Sequence, residues 1–180
     1  MGKSRPVSIV SAYVSNSYVK IPPELQAEQV LEEVHSHLVR ARESDPNLAS
    51  VLDRARVRHR KGDQWVCLYE IGFKSIKESG TVELLRTITQ NYVDEVVMLC
   101  CFGVVSFGAY AHFMEGTLVR FTAACEDWTE SAGEPEPWES ELIDEGGVYE
   151  ATIAALGKTL DLRDVLDHSL AWDIDIPLRT

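Results

Sequence analysis

The sequence predicts an α+β fold, a mainly antiparallel sheet with helices packed on one face, formed as a single globular domain over residues 1–180. Hairpin signals come first: Lys61-Gly62-Asp63 and Glu115-Gly116 each join β-rich runs through a turn far too short for a parallel crossover. The run VVMLCCFGVVSFGAYAHFM, residues 96–114, holds no Asp, Glu, Lys or Arg, and its β-branched, aromatic and glycine content suits two buried strands. Between residues 24 and 43, Ala27, Val30, Leu31, Val34, Leu38 and Ala41 recur at intervals of three and four, the period of a helix with one apolar face. The chain is 45% hydrophobic and 26% charged over 180 residues. That is ordinary globular composition, at a length that buries roughly 70% of the unfolded surface.

In chain order, VSIVSAYVSNSYVKIP reads as a strand pair turning at Ser15-Asn16-Ser17 or as one long irregular strand, ended by Pro22-Pro23. The helix over 24–43 has Glu24 and Glu28 near its start and Arg40 and Arg42 near its end, charges that complement its dipole. SDPNLASVLDRAR opens a second helix, with Asp45 as cap and Pro46 as first residue, where no N–H is needed. VRHRKGDQWVCLYEIGF forms the first hairpin, its second arm alternating Trp65, Cys67 and Tyr69 with Val66, Leu68 and Glu70. SGTVELLRTITQNY is a short helix capped near Thr81, with Val82, Leu85 and Ile88 inward. TLVRFTAAC returns from the Glu115-Gly116 turn as a strand. VYEATIAALGKTL and DLRDVLDHSLAW read as closing helices, the second capped by Asp161 with Leu162, Val165, Leu166 and Leu170 inward.

Cys67, Cys100, Cys101 and Cys125 lie in apolar, strand-like surroundings without a Cys-x-x-Cys pair, as expected of buried free thiols in a reducing compartment. The start, MGKSRPVSIV, lacks a signal-peptide apolar core and places Pro6 where myristoylation needs Ser or Thr. Residues 96–114 have the length of a membrane span, but Asp94, Glu95 and Glu115 flank them in place of basic residues. The expectation is a cytoplasmic protein without a membrane role.

The charge is lopsided. Seventeen Lys and Arg against twenty-nine Asp and Glu give a net charge of −12. Ten of the acids fall between Phe121 and Gly157, where there is no Lys or Arg at all, and the other residues are close to neutral. Opposite in sign is RARVRHRK, with Arg54, Arg56, Arg58 and Arg60 at period two, so that a strand there lines its guanidinium groups along one face. That row has two bland readings: it docks the acidic segment within the molecule, or both are solvated faces, the arginines also guarding a sheet edge. A single five-residue basic patch on so acidic a chain does not make a nucleic-acid site.

Motifs for chemistry are absent or incomplete. Glu32-x-x-His35 has the spacing of carboxylate-bridged metal bundles, but no second Glu-x-x-His accompanies it, and His35 and His37 fall on opposite flanks of the apolar stripe. His59, His112 and His168 are scattered. Cys125 beside Glu126-Asp127 is in the wrong field for a thiolate, and Ser106 lacks the Gly-x-Ser-x-Gly elbow. Gly103 and Gly108, five apart in an apolar strand, mark a bulge or close packing in preference to a phosphate loop. The acids lack a calcium-loop pattern, so no metal and no cofactor is expected.

The feature left is CEDWTESAGEPEPWESELIDE, residues 125–145, with nine acids, Trp128, Trp138, Pro135 and Pro137. Either both indoles fold back to pin a loop over the sheet, or the stretch is an acidic, aromatic surface for a basic protein. In the second case the carboxylates steer the partner and the indoles supply contact area. The wider string FGAYAHFMEGTLVRFTAACEDWTESAGEPEPWE resembles a segment of uncharacterised bacterial proteins. There, an aromatic strand turns at an acidic-Gly pair, returns as Leu-Val-Arg and runs through a Trp to Gly-Glu-Pro-Glu-Pro-Trp-Glu. The matching residues here are Phe107 to Phe113, Glu115-Gly116, Leu118-Val119-Arg120, Trp128 and Gly133 to Glu139, about a fifth of the chain. The resemblance implies a bacterial relative and a shared fold signature; it carries no activity with it.

The functional expectation is a non-catalytic cytoplasmic protein-binding module, immunity- or inhibitor-like, that meets a basic protein partner such as a toxin or effector. Trp128, Glu130, Glu134, Glu136, Trp138, Glu139 and Glu141 are its expected contact residues. Two other readings stand beside it: a structural subunit that forms a homodimer, and a hydrolase built on convergent carboxylates.

Overall fold

The computed structural model describes residues 13–72, 80–102, 107–142, 150–162 and 171–179. Its strands are β1 (Tyr13–Lys20), β2 (Arg56–His59), β3 (Trp65–Tyr69), β4 (Glu95–Phe102), β5 (Phe107–Met114), β6 (Thr117–Cys125), β7 (Trp128–Gly133) and β8 (Ile174–Pro177). Its helices are α1 (Ala27–Ser44), α2 (Pro46–Leu52), α3 (Thr81–Asn91), α4 (Glu139–Leu142) and α5 (Glu150–Thr159). The strands form one sheet in the order β7-β6-β5-β4-β1-β3-β2-β8. Every neighbouring pair is antiparallel, giving the α+β class the turn chemistry predicts.

Local sequence accounts for the helix positions. The Asp45 carboxylate accepts the Asn47 N–H at 2.8 Å, and Pro46 occupies the first turn of α2. Val30, Leu31, Val34 and Leu38 of α1 are buried, as their spacing dictates, although α1 begins at Ala27 and not at Glu24. Glu115 and Gly116 have φ of 47° and 78°, the paired left-handed conformation that matches the twist of a two-residue hairpin. Asp161, expected to cap a following helix, ends α5 in a Schellman motif. Its φ is 54°, its N–H bonds Lys158 O, and the Leu162 N–H bonds Gly157 O. The helix expected over DLRDVLDHSLAW falls mostly outside the described residues.

Of the two readings of the Ser15-Asn16-Ser17 stretch, a strand pair or one long strand, the fold adopts the single strand. Ser15, Asn16 and Ser17 lie in the middle of β1, buried, and pair with Cys100, Leu99 and Met98 of β4. Their polar side chains are satisfied without a turn: Ser17 Oγ donates to Ile71 O at 2.7 Å, and Asn16 Oδ1 accepts the Glu70 N–H at 3.2 Å. The backbone of 70–72 presses against them so closely that a Cβ on Gly72 would stand 2.4 Å from Ser15 Oγ.

Alternate residues of the central strands separate two cores. Val96, Met98 and Cys100 of β4 join the leucines of α1, α2 and α3 on one face. Val97, Leu99 and Cys101 join Val14, Tyr18, Trp65, Cys67, Tyr110 and Leu156 on the other, with Trp138 and Trp172 packed against them. The expected one-sided helix layer therefore describes α1–α3, whereas Leu156 of α5 belongs to the second face, because β4 is apolar on both sides. Among the described residues, no helix is long and apolar enough to cross a membrane. Cys67, Cys100 and Cys101 are buried and Cys125 is partly buried; burial raises the Cys67 pKa to about 12.

Candidate functional site

The acidic tryptophan segment runs along both faces of one end of the sheet. A two-residue link, Glu126-Asp127, turns β6 into β7, with Cys125 opposite Trp128 and Ala123 opposite Glu130. Cys125 and Ala123 belong to the α1–α3 face, so Trp128 and Glu130 stand on that face too. The Trp128 ring sits 6.1 Å from that of Phe107 and remains 39% exposed. All six residues of β7 are exposed.

At Gly133 the chain leaves the strand. Its φ of 82° and the position of Val119 O, 2.0 Å from where a Cβ would be, leave room for glycine alone. The strap Glu134-Pro135-Glu136-Pro137-Trp138-Glu139 then crosses the opposite face. Trp138 meets Tyr110 edge-on with ring centroids 4.8 Å apart.

Two basic side chains hold the strap down. Arg120 grips Glu139 in a fork: Nε donates to Oε1 and Nη2 to Oε2, each at 2.6 Å. Its Nη1 donates to the Ala132 and Gly133 carbonyls at 3.1 and 2.9 Å. Glu139 Oε1 also accepts the Glu136 N–H at 2.9 Å while the Glu139 N–H bonds Glu136 O, so the turn into α4 closes on itself. The second post is His112. Its Nδ1 lies 2.7 Å from Glu136 Oε1, and its Nε2 lies 3.2 Å from Glu95 Oε1, within ion-pair reach but off the axis of a straight hydrogen bond. Lys20 completes the row through Glu95 Oε2 at 2.7 Å.

A bulge makes this possible. β5 and β6 pair as Phe113 with Leu118 and then His112 with Arg120, which leaves Val119 as an extra residue. Without it, Arg120 would point into the core lined by Ala111 and Phe121; with it, Arg120 shares the His112 face.

Titration follows from these contacts. Burial by itself lowers the His112 pKa, but the bonds to and attraction of Glu95 and Glu136 outweigh it and hold the imidazole above its ordinary value of 6.5. The bond to His112 is the main reason Glu95 titrates below the usual carboxylate range; burial opposes it and Lys20 adds to it. Burial pushes Glu139 up, and its bonds with Arg120 and the Glu136 N–H bring it down on balance. With both ring nitrogens facing carboxylates, His112 fastens strands to strap from between Glu95 and Glu136.

The arginine row meets different acids. Arg56 and Arg58 both donate to Asp175 Oδ1 of β8, at 2.6 and 2.9 Å. Arg58 lies 3.8 Å over the Tyr69 ring, and Arg60, buried, lies 4.1 Å over Trp172. Asp173 accepts the Lys61 backbone N–H at 2.7 Å. Arg54 precedes β2 and is exposed. The basic row thus docks acids of its own chain, but those of the last strand and not those of residues 125–145. The sequence offered β8 no signal, because IDIP is four residues long and pairs with a strand far back in the chain.

The expected contact residues consequently divide. Trp128, Glu130, Glu134 and Glu141 are exposed; Glu136 and Trp138 are half-buried against His112 and Tyr110; Glu139 is buried on Arg120. His112, Arg120 and Glu95 were not singled out from sequence, since the β4–β5 register brings Glu95 to His112 and only the bulge turns Arg120 onto the same face. No group of three or more His, Cys, Asp and Glu among the described residues is placed to hold a metal ion. Comparison with protein-family models, curated proteins and solved structures finds no match to the chain.

Proposed function

We propose that the chain is a non-catalytic, immunity- or inhibitor-like binding module of the bacterial cytoplasm that engages a basic protein partner at the β7 end of its sheet. One observation carries the reading: Glu126, Asp127 and Glu130 are exposed beside Trp128, Glu134 and Glu141 are exposed on the strap and the turn that follows it, and none is ion-paired among the described residues. At the other edge, the single carboxylate of β8, Asp175, is matched by Arg56 and Arg58. A displayed negative surface with an aromatic anchor speeds and orients the approach of a cationic protein. The hydrolase reading finds less support: Glu95 and Glu136 converge, but on the two nitrogens of one imidazole that fills the space between them.

Affinity capture from native lysate tests this with the triple variant Glu130→Gln, Glu134→Gln, Glu141→Gln. A basic protein retained at low salt, released at high salt and lost to the triple variant is the expected result. Retention indifferent to both salt and the substitutions would refute it. Glu136 and Glu139 are left intact because their carboxylates hold the strap.

A further inference from the structure

The two edges of the sheet are unlike. β8 is four residues long, ends at Pro177 and turns Asp175 onto Arg56 and Arg58, features that discourage a further strand. β7 has six residues, all exposed, with no Pro, no Lys and no break in its register with β6. Because Glu126-Asp127 is a two-residue link, Cys125 with Trp128 and Ala123 with Glu130 are the hydrogen-bonded pairs of the ladder. The backbone N–H and C=O groups of Thr129 and Ser131 then point away from β6, where no described strand receives them. On the α1–α3 face this open ladder is flanked by the Trp128 indole and the Glu130 carboxylate, two residues apart.

We infer that β7 is a strand-addition site: an extended basic segment, with Lys or Arg at alternate positions, pairs with its outer edge. This rests on the proposed engagement of a basic partner and specifies its mode. Backbone bonding to Thr129 and Ser131 sets the register, and the alternate cations then fall beside Trp128 and Glu130, one over an indole face and one against a carboxylate. The charge also selects against a second copy paired antiparallel about Glu130, since that register would set the carboxylate directly against that of its twin.

The probe is a capped synthetic peptide about ten residues long, of alternating Lys and Thr, titrated while the part of the tryptophan fluorescence that Trp128→Phe removes is followed; the matching Glu-Thr peptide is the control. The Lys-Thr peptide binds saturably, and the control does not. Backbone N-methylation of the peptide weakens binding at every second position and leaves the intervening positions unaffected. Ser131→Pro, which removes an outward N–H and is tolerated on an edge, weakens binding about tenfold with no change in circular dichroism. Salt-sensitive binding that ignores both the N-methyl pattern and Ser131→Pro overturns strand addition and leaves the acidic-surface reading standing. Absence of saturable binding at low salt overturns both.

Discussion

Both ends of this sheet carry an acidic edge strand beside a tryptophan, and they behave oppositely. At the β8 end, Asp175 is shared by Arg56 and Arg58, Asp173 takes the Lys61 N–H, and Trp172 is stacked beneath Arg60. At the β7 end, Trp128 and Glu130 face outward, and compensation begins only past Gly133, where Arg120 and His112 seize Glu139 and Glu136. Composition does not distinguish a carboxylate that closes a fold from one that is displayed. The distinction lies in whether a cation arrives on the same face, and three elements decide that here: the β2 face, the Val119 bulge and the tail strand.

The largest effect expected from breaking this arrangement is at Arg120. Arg120→Ala leaves Glu139 buried without its fork and costs about 3 kcal/mol in urea unfolding. Coupling Arg120→Met to Glu139→Leu recovers most of that, since it leaves no orphaned charge. A loss no larger than that of an ordinary surface substitution would show that the strap is held without the Arg120 fork.

Next comes the pH dependence of the second post. His112 has a raised native pKa, so its contribution is fully present below its ordinary 6.5 and is lost as pH rises through the higher native value. Hydrogen exchange of residues 133–139 should therefore be slow below that point and accelerate, beyond intrinsic rates, above it. In His112→Gln the protection is lower and flat across the same window. Glu139 acts at the other limb: its pKa is depressed, so its contribution is present above 4.5 and lost as pH falls through the lower native value.

At the β8 end the effect is smaller, because the ion pairs are about a third exposed. Asp175→Asn should cost about 1 kcal/mol in thermal unfolding and leave partner capture unchanged. The smallest change expected is in the triple variant Glu130→Gln, Glu134→Gln, Glu141→Gln. Its stability should lie within about 0.5 kcal/mol of the parent, since these carboxylates are exposed and form no ion pair among the described residues. A large destabilisation there would merge the two ends into one structural role and end the comparison.

Much of this architecture was legible in advance for local reasons. The Asp45-Pro46 start, the α1 stripe and the Glu115-Gly116 turn each depend on a few neighbouring residues, and each is where the pattern places it. Ser15-Asn16-Ser17 left a turn and a continuous strand both open, and the strand forms because pairing on both sides of β1 and the backbone at Gly72 override the turn propensity. Of the seven expected contact residues, Glu136, Trp138 and Glu139 turned out to hold the strap, and their holders His112 and Arg120 went unmarked. Nothing in Leu-Val-Arg announces that Val119 is the unpaired residue, yet that slip sends Arg120 to the strap face.

By itself the sequence determined the elements and the sign of the charge at residues 125–145, since periodicity, turn residues and net charge are properties of neighbours along the chain. Which acids are answered, and which of Trp128 and Trp138 is displayed, was decided only by tertiary structure. A strand's two faces exchange with every one-residue shift, and the cations that matter come from partners far away along the chain.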